Sequence, residues 1–251
     1  MARVRIGRIW IDSVTFDEAL TAIEALTGHG GAVFTPNVDH VVTADKNEEF
    51  RAAYEAADLS LADGQWVVWA SRVLKTPLPA KISGSDLTLP LAKLAGEKGR
   101  SIYLLGGAAG AAEAAGKRLT AECGVRICGI DSPRIDLNKP DPAIVERMKL
   151  AAPDLVLVAL GSPKQELWIH RNREALRPAV LLGIGATLDF LAGQVRRAPS
   201  WISRFGLEWA FRLILEPRRL ARRYLVNDPK FAAILLRTLR DPQTRIITAG
   251  K

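Results

Sequence analysis

SIYLLGGAAGAAEAAGKRLTAECGVRICGI, residues 101–130, is the stretch that decides the fold. An apolar run ends on two glycines, an alanine-rich stretch of helical composition follows, and a second apolar run, VRICGI, closes it. A strand, a crossover helix and a second strand are the parts of a parallel pair. The rhythm continues downstream, where LVLVAL (155–160) leads into GSPKQELWIHRNRE and AVLLGIG (179–185) leads into ATLDFLAG. It is already present upstream in VFTPNVDHVVTADKNEEFRAAYEAADLSLADG, residues 33–64. There one apolar run ends in Thr35 and Asn37, helical patterns follow, and Leu59 to Leu61 delivers Asp63 and Gly64. The fold expected is α/β: a Rossmann-like, mainly parallel sheet with helices on both faces.

Around this frame, Val4 to Ile11 alternates loosely and reads as an edge strand or hairpin. Ser13 or Thr15 opens an amphipathic helix that Gly28, Gly30 and Gly31 end. QWVVWASRVL after Gly64 reads as a helix with Trp66, Val67, Trp69, Ala70 and Val73 as its apolar positions. Lys81 to Gly99 reads as a Gly-containing loop feeding a helix capped at Ser85 or Asp86.

With 251 residues, 48% of them apolar, the chain can bury a full core. Its two cysteines, Cys123 and Cys128, are too few for a disulfide framework or a four-ligand zinc site, so a reducing, cytoplasmic setting is expected. The N-terminus has no apolar core of signal-peptide length, and no window approaches the roughly 18 apolar residues of a spanning helix. The charge is uneven. Residues 196–251 carry 13 Lys+Arg against 4 Asp+Glu, whereas residues 1–195 carry 22 against 23. Pro217, Pro229 and Pro242 also punctuate this basic region, and no strand is read between Pro199 and Arg240. Two parts are therefore expected: an α/β catalytic domain over 1–195 and a basic amphipathic helical appendage over 196–251. Such asymmetry points to an anionic partner, nucleic acid or a membrane surface.

Candidate site residues each have a functional and a purely structural reading. Asp63, beyond the end of a buried strand, is placed to act as a general base, or else caps the helix after Gly64. Thr35 and Asn37 share the ambiguity, since Asn37 also suits the cap of a helix from Val38. In GSPKQE, Ser162 is expected as N-cap, Pro163 at the first helical position and Gln165 as the far half of a capping box. That helix start favours an anion such as phosphate, and Lys164 adds charge. Gly106, Gly107 and Gly110, with Asp131 after the next strand, resemble a dinucleotide fingerprint without its strict GxGxxG spacing. Close packing of helix on strand is the other reading. The histidines His29, His40 and His170 are scattered and no DxD occurs, so neither metal nor cofactor is expected. In the basic region Arg218, Arg219, Arg222 and Arg223 fall on one stripe of a helix, interleaved with Trp and Phe, a pattern that suits an anionic bilayer. A helical lid packed on the core is the alternative.

TPNVDH (35–40), LADG (61–64), SGSDL (83–87), LLGG (104–107), LGSPKQE (160–166), GIGATLDFLAG (183–193) and RRAP leading into GLEW together resemble the WecG/TagA/CpsF family of bacterial glycosyltransferases, along nearly the whole chain. The resemblance implies a metal-independent, inverting transferase. It would move N-acetylmannosamine, N-acetylmannosaminuronate or glucose from a UDP-sugar to a polyprenyl-diphosphate-linked glycan, as a peripheral protein on the inner face of the plasma membrane. It implies Asp63 as base with Thr35 and Asn37 in the same pocket. It implies Lys81, Gly106, Gly107, Ser162, Lys164, Gln165 and Asp189 around the nucleotide sugar, and Arg212, Arg218, Arg219, Arg222 and Arg223 toward membrane or acceptor diphosphate. Nucleic acid is not among the partners implied; a homo-oligomer stays open. Lys81 stands where relatives usually carry Arg, and keeps the charge without the bidentate fork. QWVVW after Asp63 is bulkier than usual. The rivals are an NAD(P)-dependent oxidoreductase using Gly106 to Gly110, and a nucleic-acid-binding protein using the basic tail.

Overall fold

The alternating N-terminus forms a hairpin, β1 (Ala2–Ile6) and β2 (Ile9–Asp12), in the computed structural model, which describes residues 1–139, 141–195, 199, 202, 207–241 and 246–248. Helix α1 (Phe16–Leu26) follows, opened by a capping box in which Thr15 and Glu18 satisfy each other's backbone N–H. The chain then alternates: β3 (Gly31–Phe34), α2 (Val38–Lys46), α3 (Glu48–Glu55), β4 (Leu59–Ser60), α4 (Gln65–Val73), α5 (Gly84–Glu97), β5 (Ser101–Gly106), α6 (Ala111–Cys123) and β6 (Arg126–Asp131). It continues through α7 (Pro142–Ala151), β7 (Leu155–Ala159), α8 (Lys164–Asn172), β8 (Val180–Gly183) and α9 (Thr187–Leu191). The six strands from β3 to β8 make one parallel sheet in the order β4-β3-β8-β7-β5-β6. This is the expected Rossmann-like α/β architecture.

Parallel strands covered on both faces are apolar throughout, and successive residues supply opposite layers. Ala32 and Phe34, Tyr103 and Leu105, and Val156 and Val158 point into one layer, covered by α2, α3, α4, α7 and α8. Val33, Ile102, Leu104, Leu155 and Leu157 point into the other, covered by α1, α5, α6 and α9. Asp12, buried at the end of β2, accepts from Arg3 and from the Ser60 N–H at 2.8 Å, which fastens the hairpin to edge strand β4.

Helices α4 and α5 differ from their expected form. Helix α5 starts earlier: Ser83, not Ser85 or Asp86, is its cap and accepts from the Asp86 N–H at 3.1 Å. The start is set by a close approach, because a Cβ on Gly84 would lie 2.8 Å from Ile184 Cα. Helix α4 is rotated: Val67, Val68, Ala70 and Ser71 are buried, and Trp66 and Val73 are exposed. Ser71 tolerates the interior because its hydroxyl donates to Val68 O and accepts from the Leu78 N–H.

Past residue 195 the described helices are α10 (Glu208–Leu215), α11 (Pro217–Arg222), a π-helical turn (Arg223–Asn227) and α12 (Lys230–Arg240). Helix α12 buries Phe231 and Ile234 in the layer of α2. Thr238 Oγ1 accepts from the Gly7 N–H at 3.1 Å, and Arg237 pairs with Asp45. A last strand, β9 (Ile246–Thr248), pairs antiparallel with β1, giving a second sheet β2-β1-β9. The C-terminal end is therefore built onto the structure formed by the N-terminus. Among the described residues no helix is long and apolar enough to cross a membrane.

Candidate active site

All six parallel strands end on the same edge. After β3, β4, β6 and β7 the chain turns into one helical layer, and after β5 and β8 into the other. Neighbouring loops therefore part on both sides of β8 and on both sides of β5. Such switch points are where open α/β sheets open a crevice for ligands.

Backbone hydrogen bonds carry the β3 and β4 ends past the sheet side by side. Leu61 N donates to Phe34 O and Asp63 N to Pro36 O, both at 2.8 Å, and Ile82 N donates to Ala62 O at 2.7 Å. Thr35 to Asn37, Asp63 and Lys81 to Ser83 thus form one floor. Thr35 is buried and its hydroxyl reaches Gly183 O at 3.4 Å across the crevice. Asn37 caps α2, accepting from the N–H groups of Asp39 at 3.1 Å and His40 at 3.4 Å, so its structural reading holds. Asp63 does not cap α4. Gly64 takes the cap position with φ +96° and the helix has no side-chain cap. Lys81 Nζ lies 3.6 Å from Asp86 Oδ2 at the start of α5.

Behind this floor lies a polar cluster that sequence reasoning missed. His40 and Tyr54, both buried, share a 2.8 Å hydrogen bond between Nδ1 and Oη. Burial first, then the negative charges of Glu166, Asp63 and Asp39, hold the Tyr54 hydroxyl well above its ordinary pKa. Groups drawn from α2, α3, α8 and the β4 end thus act on one hydroxyl. Nothing local in the sequence marks it.

The GSPKQE turn departs from its expected form. Helix α8 begins at Lys164, no side chain caps it, and Ser162 Oγ is buried without a hydrogen-bond partner among the described residues. The capping box does not form because Gln165 has a different task. Its Oε1 accepts from the Gly185 N–H at 3.0 Å and its Nε2 donates to Glu166 Oε1 at 2.6 Å. The absence of a side chain at Gly183 makes room, since a Cβ there would stand 3.0 Å from Gln165 Nε2. Gln165 and Glu166, both buried, therefore brace the β8 turn from the β7 side. Lys164 Nζ donates to Ile135 O at 3.2 Å and so holds the loop after β6.

On the far side of the crevice, Gly106 and Gly107 have φ of +98° and +82°. A Cβ on Gly106 would lie 2.5 Å from Ala159 O, so close packing of β5 on β7 requires this glycine. Asp189 Oδ1 accepts from the Ala108 N–H at 2.8 Å, tying that glycine turn to α9. Asp131 does not serve as a ribose-binding acid. Arg147 holds both its oxygens, at 3.1 and 2.8 Å, and Tyr103 Oη donates to it at 2.5 Å. The dinucleotide reading loses its acid to these contacts. Among the described residues no three His, Cys, Asp or Glu side chains are grouped to hold a metal ion. Of the tail arginines, Arg218 is exposed at the start of α11, and the side chains of Arg212, Arg219, Arg222 and Arg223 lie outside the described part.

The sequence profile of one family, described as the glycosyl transferase WecG/TagA/CpsF family, matches residues 4–245 and so takes in the whole crevice. The chain belongs to this family. It is a glycosyltransferase. Among similar proteins of this glycosyltransferase family are two named N-acetylglucosaminyldiphosphoundecaprenol N-acetyl-beta-D-mannosaminyltransferase. That of Bacillus spizizenii strain W23 is 32% identical over 209 residues, covering 83% of this chain and 79% of the relative. That of Bacillus subtilis strain 168 is 31% identical over 216 residues, covering 86% and 82%. Family membership makes the chain a glycosyltransferase, and Asp63, which does not cap α4, is the carboxylate of this crevice to test first.

Proposed function

We propose that the crevice transfers N-acetylmannosamine from UDP-N-acetylmannosamine to the N-acetylglucosamine of a polyprenyl-diphosphate-linked acceptor, with inversion at the anomeric carbon. The observation that carries this reading is the floor of Thr35 to Asn37, Asp63 and Lys81 to Ser83, where a carboxylate not used as a cap stands among polar groups of three segments. The names of the two Bacillus relatives support the sugar and the acceptor.

In the proposed step the acceptor hydroxyl oxygen attacks the anomeric carbon from the face opposite UDP. The bond from that carbon to the β-phosphate oxygen breaks, the hydroxyl proton passes to the Asp63 carboxylate, and UDP departs with the electron pair. A single displacement inverts the centre. Gln165, by bracing the Gly185 turn, and Asp189, by holding Ala108, shape the nucleotide-sugar side. Lys81, the N-terminus of α5 and the tail arginines meet the charge of the leaving diphosphate, without a metal ion. The protein works as a peripheral one: exposed Ile214, Leu215, Leu225 and Val226 on the basic C-terminal helical segments face the lipid surface that carries the acceptor.

Mass spectrometry of products from a panel of UDP-sugars, with a short-chain lipid acceptor and with EDTA present, tests the reading. The expected product carries one added N-acetylhexosamine, from UDP-N-acetylmannosamine only. Transfer of glucose or a uronic acid instead overturns the donor, and activity lost to EDTA and restored by a divalent ion overturns the metal-free step.

A further inference from the structure

Helix α4 starts at the turn that follows Asp63 and turns an apolar face away from the core. Trp66 is 45% exposed, Val73 is 53% exposed, and Trp69 lies half-buried between them. At i, i+3 and i+7 these three make one stripe along the helix. The Trp66 and Trp69 rings meet edge to face with centroids 5.1 Å apart, so the two indoles form one surface. Arg72 and Lys75, both exposed, border its far end. The core requires none of this, because α4 already buries Val67, Val68, Ala70 and Ser71.

We propose that the Trp66–Trp69–Val73 stripe is the docking surface for the isoprenoid chain of the lipid-linked acceptor. The inference rests on the reading of the Asp63 crevice as the transfer site. An acceptor whose sugar hydroxyl meets Asp63 carries its diphosphate and its chain outward from that sugar, so the chain leaves along an element that begins there. Helix α4 begins there, and from Gln65 to Val73 it advances about 12 Å. The stripe is one side chain wide. A stable protein partner needs about 800 Å² on each side, which three side chains do not offer, whereas a single hydrocarbon chain fits such a strip. Tryptophan suits the boundary between a polar headgroup and an apolar chain, and Arg72 and Lys75 supply positive charge where that chain enters an anionic bilayer.

The test compares two acceptors, N-acetylglucosamine diphosphate esterified to a long polyprenol or to a pentyl chain, in wild type, Trp66→Ser, Trp66→Phe and Leu150→Ser. Leu150, 87% exposed on α7, is the surface control. Trp66→Ser is expected to raise KM for the polyprenyl acceptor about tenfold more than for the pentyl acceptor, with kcat nearly unchanged; Trp66→Phe restores most of the difference and Leu150→Ser does not alter it. An equal change for both acceptors overturns the inference. Calorimetry makes the result independent of turnover. Farnesyl diphosphate is expected to bind wild type at least tenfold tighter than inorganic pyrophosphate, with the gap narrowed in Trp66→Ser. No gap in wild type overturns the docking surface even where transfer succeeds, and a gap without any transfer leaves the surface standing while the proposed activity falls. Equal loss by Trp66→Ser of binding to anionic vesicles without acceptor assigns the stripe to the bilayer and overturns the choice of chain.

Discussion

Strands β4 and β6 are the two outer strands of the same parallel sheet, and each leads to an aspartate at the same edge. At the β6 end, Asp131 is saturated: Arg147 takes both oxygens and Tyr103 Oη donates to one of them. At the β4 end, Asp63 is fixed through its backbone, by the 2.8 Å bond to Pro36 O, and the helix after it starts on Gly64 without any side-chain cap. A strand-end carboxylate therefore says little by position. Its surroundings decide: Asp131 closes the fold through Arg147 and Tyr103, whereas Asp63 lies at the turn between β4 and α4 without capping that helix.

Changes at the two ends should have opposite signatures. The largest effect on the fold is expected at β5, beside Asp131: Gly106→Ala puts a Cβ 2.5 Å from Ala159 O at a φ of +98° and should cost about 3 kcal/mol in a urea titration. A loss below about 0.5 kcal/mol would mean that the turn relaxes and that this half is not rigid. On the crevice side, Gln165→Leu strands the Gly185 N–H, and the UDP-sugar KM should rise about tenfold, in line with about 1–3 kcal/mol for an unsatisfied buried donor. An unchanged KM would detach Gln165 from the donor. Asp131→Asn should lower stability by about 1 kcal/mol, Arg147 being half exposed, and leave turnover within about threefold. A larger loss of turnover would erase the distinction between the two ends.

The smallest effect is a titration. Burial, then the Asp131 hydrogen bond and charge, raise the Tyr103 hydroxyl well above its ordinary value. The unfolded chain then releases that proton first, so the contribution to stability is complete below about pH 10 and is lost as pH rises beyond it. Ultraviolet titration should show Tyr103 resisting ionisation in wild type and ionising earlier in Asp131→Asn; identical curves would refute the coupling.

The parallel sheet was legible because β3, β5, β7 and β8 are short runs between turn residues, apolar almost throughout and buried on both faces, which leaves no other use for such runs. Helix starts were not, because they depend on tertiary approach. Ser83 caps α5 where Gly84 must pass Ile184, and Gln165 leaves the expected capping box for a backbone N–H twenty residues on, at Gly185. The face of α4 was misjudged for a related reason. Ser71 finds two hydrogen-bond partners inside, so the helix buries a serine and exposes a tryptophan. The candidate site residues were legible as polar groups at strand ends. Local sequence did not separate Asp63 from Asp131, since Arg147 and Tyr103 reach Asp131 from other elements. The His40, Tyr54 and Glu166 cluster joins three helices and has no local signal.

Single-turnover transfer by wild type and Asp63→Asn, with UDP affinity measured on the same samples, addresses the assignment of the base most directly. The rate should fall by about 10²–10⁴, the contribution of a positioned general base, while UDP binds within about twofold of wild type. Turnover within about threefold of wild type would contradict the account.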